Sequence, residues 1–501
     1  GARPQPGALV AASAPRALEP APARASLGAA ELGYPASGGA LPRSSELREP
    51  NAEAARASSA LPPGARFDAL AGLGDLRALT RATPAPERLG PTPRAQAIPL
   101  AQPPRAEPRA LVAAARDDLA TRAPAPRLSE TPYQNRFGEQ KLRALEEFGG
   151  TPASEHAVAA GLAYLARIQG EDGAWGQRSD AHEKYLDVRI GKSALALLAF
   201  LGAGHVPDGV TEHAATVERA VRYLLGAQDP ASGHFGSSCS YGHGIATYAL
   251  AECYALTQAS RLRAPLEAAL AEILRNQSKE RDPRLFGGWG YYFADGHVWN
   301  GDEWPRTSVT AWQVMALESA QLGGLAVPAA AFTGAREFLL HTWDGQRGAF
   351  RYDHDPERLA SDYPILPAST PAALFALALL DVDPGADELG AARRFVLARA
   401  PDGYRYSGND DFVRRARGNL YFWYYATLAL FRVGGREWER WNTALQATLL
   451  PAQDEDGSWR PLDVYSEYAG DDDGERTYST ALCVLSLEIY YRYFTPLLKV
   501  R

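Results

Sequence analysis

Gln169-Gly170-Glu171-Asp172-Gly173-Ala174-Trp175-Gly176 recurs nearly intact as Gln453-Asp454-Glu455-Asp456-Gly457-Ser458-Trp459. In each copy the Gln closes a helix, where its amide can bond orphaned carbonyls. Asp-Gly then makes a tight turn that needs a glycine at positive φ. The Trp folds back as an apolar plug. Reduced copies lie between: Gln228…Gly233-His234-Phe235-Gly236, Gln277…Gly287-Gly288-Trp289-Gly290, Gly348-Ala349-Phe350 and Asp402-Gly403-Tyr404. The six aromatics fall 54 to 61 residues apart, and a repeat of that period sets the fold before any single residue is weighed.

Working outward, each link is preceded by an amphipathic stretch and followed by a more apolar one. The periodicity predicts a first set of helices over Glu155–Gln169, Glu212–Gln228, Leu262–Gln277, Pro328–Trp343, Ala386–Ala400 and Arg436–Gln453. It predicts a second set over Asp187–Leu201, Gly242–Leu256, Arg306–Leu322, Pro367–Leu380, Asn419–Val433 and Arg476–Arg492. A helix apolar on most sides must be buried. Six such helices alternating with six amphipathic ones close as an inner ring inside an outer ring. The expected fold is all-α, an (α/α)6 toroid over residues 155–495.

The rest of the chain differs sharply. Residues 1–130 hold 20 of the 37 prolines, one Tyr (Tyr34), one Phe (Phe67) and no Trp. Such a tract cannot bury enough apolar surface to offset chain entropy, which predicts a disordered tail or linker. Residues 131–154 read as a lead-in to the folded body. The tail carries 16 Arg against 12 acids, about +4, so the remainder carries about −11 of the net −7. That balance argues against a nucleic-acid partner. Three cysteines imply no disulfide framework. No apolar run is long enough to span a bilayer. A Pro-rich tail beginning at a glycine suggests a tether to a membrane anchor upstream of residue 1.

The repeats resemble the QW motifs, Gln-x(2–5)-Gly-x-Trp, of the terpenoid cyclase and protein prenyltransferase superfamily. Residues 155–492 resemble bacterial squalene-cyclase or prenyltransferase repeat proteins. The resemblance is carried by Tyr241-Gly242-His243-Gly244-Ile245-Ala246-Thr247, by residues 307–317, and by Tyr421-Phe422-Trp423-Tyr424-Tyr425-Ala426-Thr427. It implies a toroid holding an isoprenoid or other apolar small molecule in its centre, with isomerase, lyase or transferase chemistry. Class II cyclases protonate an alkene with Asp-x-Asp-Asp-Thr ahead of an inner helix. Here Glu303-Trp304-Pro305-Arg306-Thr307 puts Pro305 in that slot, and Asp473-Gly474-Glu475-Arg476-Thr477 puts Glu475 there. Burial would raise the pKa of Glu475 and the adjacent Arg476 would lower it. Prenyltransferases use a zinc triad; Cys239 and His243, four residues apart, are the weak candidates for such a metal here.

All second-set helices start after the links, so their N-termini should meet at one mouth, whose helix dipoles favour anions. Glu475, Glu303, Asp302 and His243 are the candidate catalytic groups at this mouth. Tyr241, Trp299, Trp304, Arg306, Trp312, Tyr421, Trp423, Arg417, Arg476 and Tyr478 are the candidate substrate contacts. Aromatic walls suit an isoprenoid cation and equally a stacked sugar ring. Three functions therefore compete: an isoprenoid-binding toroid, a carbohydrate-active enzyme pairing Asp302 or Glu303 with Glu475, and a non-catalytic membrane-tethered scaffold.

Overall fold

The computed structural model describes residues 133–176, 187–207, 209–236, 239–291, 293, 304–462, 465–466 and 469–492. The Pro-rich stretch 1–130 lies outside the described residues, as do Trp299, Asp302 and Glu303.

After a 3-10 turn at Gln134–Arg136, helix α1 spans Gly138–Phe148. The outer helices are α2 (Pro152–Ile168), α4 (Ala214–Gly226), α6 (Ser260–Asn276), α8 (Ala329–His341), α11 (Gly390–Leu397) and α14 (Gly435–Leu449). The inner helices are α3 (Val188–Gly202), α5 (Ser240–Thr257), α7 (Thr307–Leu322), α10 (Ser369–Leu379), α13 (Leu420–Val433) and α15 (Thr477–Leu487). Short helices α9 (Pro356–Ala360), α12 (Asn409–Arg415) and α16 (Ile489–Arg492) complete the described set.

Local chemistry explains the starts. Thr151 and Ser154 form a reciprocal capping box on α2, with Pro152 at the first helical position. Helix α4 buries Val217, Ala220, Val221 and Leu224, one stripe at helical spacing. Helix α5, by contrast, is buried continuously from Gly242 to Leu256. Such a helix can exist only with neighbours on all sides.

Those neighbours form a closed circle. Helix α3 packs on α5, α5 on α7, α7 on α10, α10 on α13, α13 on α15, and α15 returns to α3. Each inner helix also packs on the outer helix that follows it, and α15 packs on α2, which closes the outer ring. The chain is an (α/α)6 toroid, with its apolar core between the rings.

The links are the rivets. Nε2 of Gln169 donates to Gly173 O (2.9 Å) and to Thr216 O of the next outer helix (3.0 Å). Gln228, Gln277 and Gln453 repeat this, reaching Pro265, Ala331 and Ala157. Gly287 sits at φ +84°, and a Cβ there would lie 2.1 Å from Gly334 O. Only glycine lets the link touch the neighbouring helix backbone. The indoles of Trp175, Trp289 and Trp459 are fully buried and donate to Leu165 O, Ile273 O and Leu449 O at the outer-helix ends.

Several expectations need correction. The fourth link holds a two-residue antiparallel ladder, Trp343–Asp344 with Ala349–Phe350, which helical periodicity did not foresee. Helix α8 therefore ends at His341 and not at Trp343. The fifth outer helix is shortened to Gly390–Leu397 behind a 3-10 turn at Asp387–Leu389. The sixth inner helix stops at Leu487 and resumes as α16.

The lead-in is a strap across the pole where the inner helices end. Tyr133 donates to Ser319 on α7 (3.3 Å), and Arg136 donates to Leu201 O on α3 (3.0 Å) and pairs with Glu252 on α5. At its other end Phe148 stacks edge-on against Phe431 of α13 (5.3 Å), and Trp438 of α14 donates to Phe148 O. Beneath the strap, Arg136, Glu252, Glu488 and Arg492 form a buried charge cluster.

Candidate functional site at the ring mouth

The opposite pole gathers the inner-helix N-termini. A common register fixes what each helix presents there. The backbone N–H of the link aromatic bonds a side chain of the following inner helix: Trp175 to Ser193, Phe235 to His243, Trp289 to Thr310, Phe350 to Thr370 and Trp459 to Thr480. On α13 the matching residue is Trp423, whose ring lies 6.1 Å from that of Tyr404.

Two residues before this register lies one tier of side chains: Gly191, Tyr241, Ser308, Ala368, Tyr421 and Tyr478. Two residues after it, one helical turn deeper, lies a second: Leu195, Ile245, Trp312, Ala372, Tyr425 and Leu482. The two tiers differ in access. In the first, Gly191, Tyr241 and Tyr421 are partly exposed. In the second, every member is buried.

The tiers meet across the axis. Tyr421 of α13 accepts from Trp312 Nε1 of α7 (2.8 Å) and bonds Tyr241 of α5, which also bonds Ser308. Tyr424 stacks on Trp312 at 5.9 Å, and Tyr425 meets it edge-on at 5.6 Å. Burial pushes the Tyr241 hydroxyl up to about 12 and that of Tyr421 well above its ordinary value, so both phenols stay neutral. The result is an aromatic cluster that links α5, α7 and α13 at the mouth.

The mouth also holds an ionisable cluster. Lys192 of α3 pairs with Asp471 (2.8 Å) and with Glu475, both ahead of α15. The Lys192 side chain is 3% exposed and that of Glu475 12%. Asp471 accepts from Tyr478 N, Ser479 N and the Ser479 hydroxyl, so it caps α15. Burial first, then the Asp471 charge, raises the Glu475 pKa against the pull of Lys192 and Thr477. The two carboxylates outweigh burial at Lys192 and keep it protonated.

Other candidate residues are placed differently. Arg476 turns from Glu475 to Asp454 (2.7 Å) and Ser458 (3.0 Å), so the expected lowering comes from Lys192 instead. Arg306 is buried, with Nε 3.2 Å from Asp353 and its guanidinium over the rings of Tyr291 and Tyr352. Arg417 pairs with Asp402 and Asp411 on the surface. Trp304 is half-buried beside Arg284, and Trp423 is buried on α13 against the fifth-link aromatic Tyr404. His243 is fully buried with both ring nitrogens engaged: Nδ1 accepts from Phe235 N (3.0 Å) and Nε2 faces Ala269 O (3.1 Å). That pattern fixes the neutral Nε2–H tautomer, and burial holds its pKa well below 6.5. Cys239 is the N-cap residue of α5. Among the described residues no three His, Cys, Asp or Glu side chains converge as a metal would need. Among them, too, no helix is long and apolar enough to cross a membrane.

Lys192 and Gly191 were missed by sequence reasoning. A lone lysine inside the apolar run Ile190-Gly191-Lys192-Ser193-Ala194 is the signal that points to them.

No protein-family model matches this chain, and no curated protein matches it. Among solved structures, an inactive variant of the alpha-1,6-mannanase GH76A of Salegentibacter sp. HEL1_6, in complex with alpha-1,6-mannotriose, is similar at 10% identity, covering 68% of this chain and 100% of that one, with a TM-score of 0.49. A type II terpene cyclase from Scytonema is similar at 16% identity, covering 68% of this chain and 99% of that one, with a TM-score of 0.45.

Proposed function

We propose that the protein binds a compact, hydroxyl-bearing ligand of the saccharide class at the ring mouth and acts on it with Glu475 as proton donor. The observation that carries this reading is the sealed second tier. Trp312, Tyr425, Leu195, Ile245, Ala372 and Leu482 are buried one turn below the mouth. Ring faces in the first tier suit a sugar that stacks. A carboxyl whose pKa is raised by burial and by the Asp471 charge is suited to general-acid work. Glycoside cleavage needs a second carboxylate, separated by about 5 to 10 Å depending on stereochemistry. Asp302 and Glu303 are the proposed partners. The test is a thermal-shift and reducing-end assay against an oligosaccharide panel. Glu475→Gln should keep the saccharide-induced Tm shift and lose product formation. Tyr241→Ala should lose the shift. If no saccharide raises the Tm of the parent protein, the reading fails.

The stack of Trp312, Tyr421, Tyr424 and Tyr425 favours a second reading, an isoprenoid or other apolar ligand held by aromatic faces. It requires the second tier to part. Native mass spectrometry that retains an apolar molecule, with a Tm shift by isoprenoid diphosphates and none by saccharides, would decide for it.

A further inference from the structure

Gly191 lies inside an inner helix, where glycine costs stability relative to alanine. Its backbone is not at positive φ. Packing does not require it either. A Cβ at Gly191 would find its nearest neighbours, Gly242 Cα and Ile245 Cδ1, only at 4.0 Å. Three other helical glycines are tightly confined: a Cβ would come within 2.5 Å of Val484 at Gly161, 2.5 Å of Gln313 at Gly244 and 1.9 Å of Glu488 at Gly202, whereas Gly226 at the end of α4 has nothing within 4 Å. Gly191 is also partly exposed, while α3 is buried without a break from Lys192 to Gly202.

Its place in the ring supplies a use. In the first tier its neighbours around the circle are Tyr241 on α5 and Tyr478 on α15. Gly191 places no side chain between the two tyrosines of its tier, and a Cβ there would make only ordinary contact with Gly242 and Ile245. The next residue, Lys192, holds Glu475.

We propose that Gly191 floors the subsite for the sugar unit acted on, which lies edge-in between Tyr241 and Tyr478 with Glu475 at its side. Gly191 is thus the position that sets what size of ring the mouth admits. The inference rests on the saccharide reading above, and its test separates the two.

Cys239, Cys253 and Cys483 are all buried, so the folded parent protein gives a low thiol background. In Gly191→Cys the new thiol should react with N-ethylmaleimide at least tenfold faster than that of Ala372→Cys, which lies in the sealed tier. Equal reactivity of the two variants overturns the subsite, whatever the ligand. In the same saccharide panel, Gly191→Ala should fold with an equal or higher Tm. Gly191→Leu should fold and weaken saccharide binding at least tenfold. If the parent protein binds saccharide and Gly191→Leu binds it equally, the inference fails and the functional reading stands. If Gly191→Cys labels rapidly but no saccharide binds, the position is accessible and both assignments to sugar are overturned.

Discussion

His243 stands in the slot that four other repeats fill with a serine or threonine hydroxyl. It serves the backbone as they do and spans further, to the next outer helix. His243→Ala should therefore cost about 1–3 kcal/mol, the usual effect of leaving buried partners unmet, as read by urea unfolding. His243→Thr should recover part of that loss. Burial lowers His205, His234 and His354 to about 4 as well. In the unfolded chain each titrates near 6.5, so between these values the unfolded state binds more protons. Their contribution to stability is complete above pH 6.5 and is lost as the pH falls toward 4. The Tm should drop between pH 7 and pH 5, and the drop should shrink in His234→Phe, a swap of one stacked ring for another. The residue scale is also where the sequence is least explicit. Nothing in the sequence around His243 announces that its ring bonds the Phe235 N–H and faces Ala269 O. That role appears only when the repeats are aligned on the slot and not on the Trp.

Among the elements, the glutamines and glycines of the links join one outer helix to the next. Gln453→Ala would strand the Ala157 and Gly457 carbonyls at the seam between α14 and α2. A loss of about 1–2 kcal/mol in chemical unfolding is expected. Gly457→Ala should be worse, since its φ is +90° and the new Cβ would lie 2.3 Å from Ala160 O. The helix pairs were legible because periodicity and turn chemistry agree along most of the chain. They were least legible where a tertiary demand overrides them. The apolar pattern of the sixth inner helix runs on past Leu487, but the chain breaks at Glu488 and delivers Arg492 into the polar cluster. At the fourth link the Gln is replaced, and a short ladder does its work.

For the whole molecule, the strap ties together the inner helices at the pole where they end. Arg136 is buried against Glu252 together with Arg492. Arg136→Ala removes one partner of a buried pair, so a loss of about 3–5 kcal/mol is expected in calorimetric or denaturant unfolding. Arg136→Lys should recover little, because a lysine cannot reach Glu252 and Leu201 O with one planar fork. Nothing in Tyr133-Gln134-Asn135-Arg136 advertises this burial. An arginine ahead of a polar helix reads as surface, and its partners Leu201 O, Glu252 and Arg492 O lie 65, 116 and 356 residues away.

The seam has a further consequence for how the molecule is made. Gln453 meets Ala157 across 296 residues of chain. At a synthesis rate of about 5–20 residues per second, that interval lasts on the order of 15–60 s. During it the first outer helix lacks its packing against α15 and its bond from Gln453. The ring therefore cannot close before residue 453 has been made, and the last helix pair of the toroid is the one that shuts it.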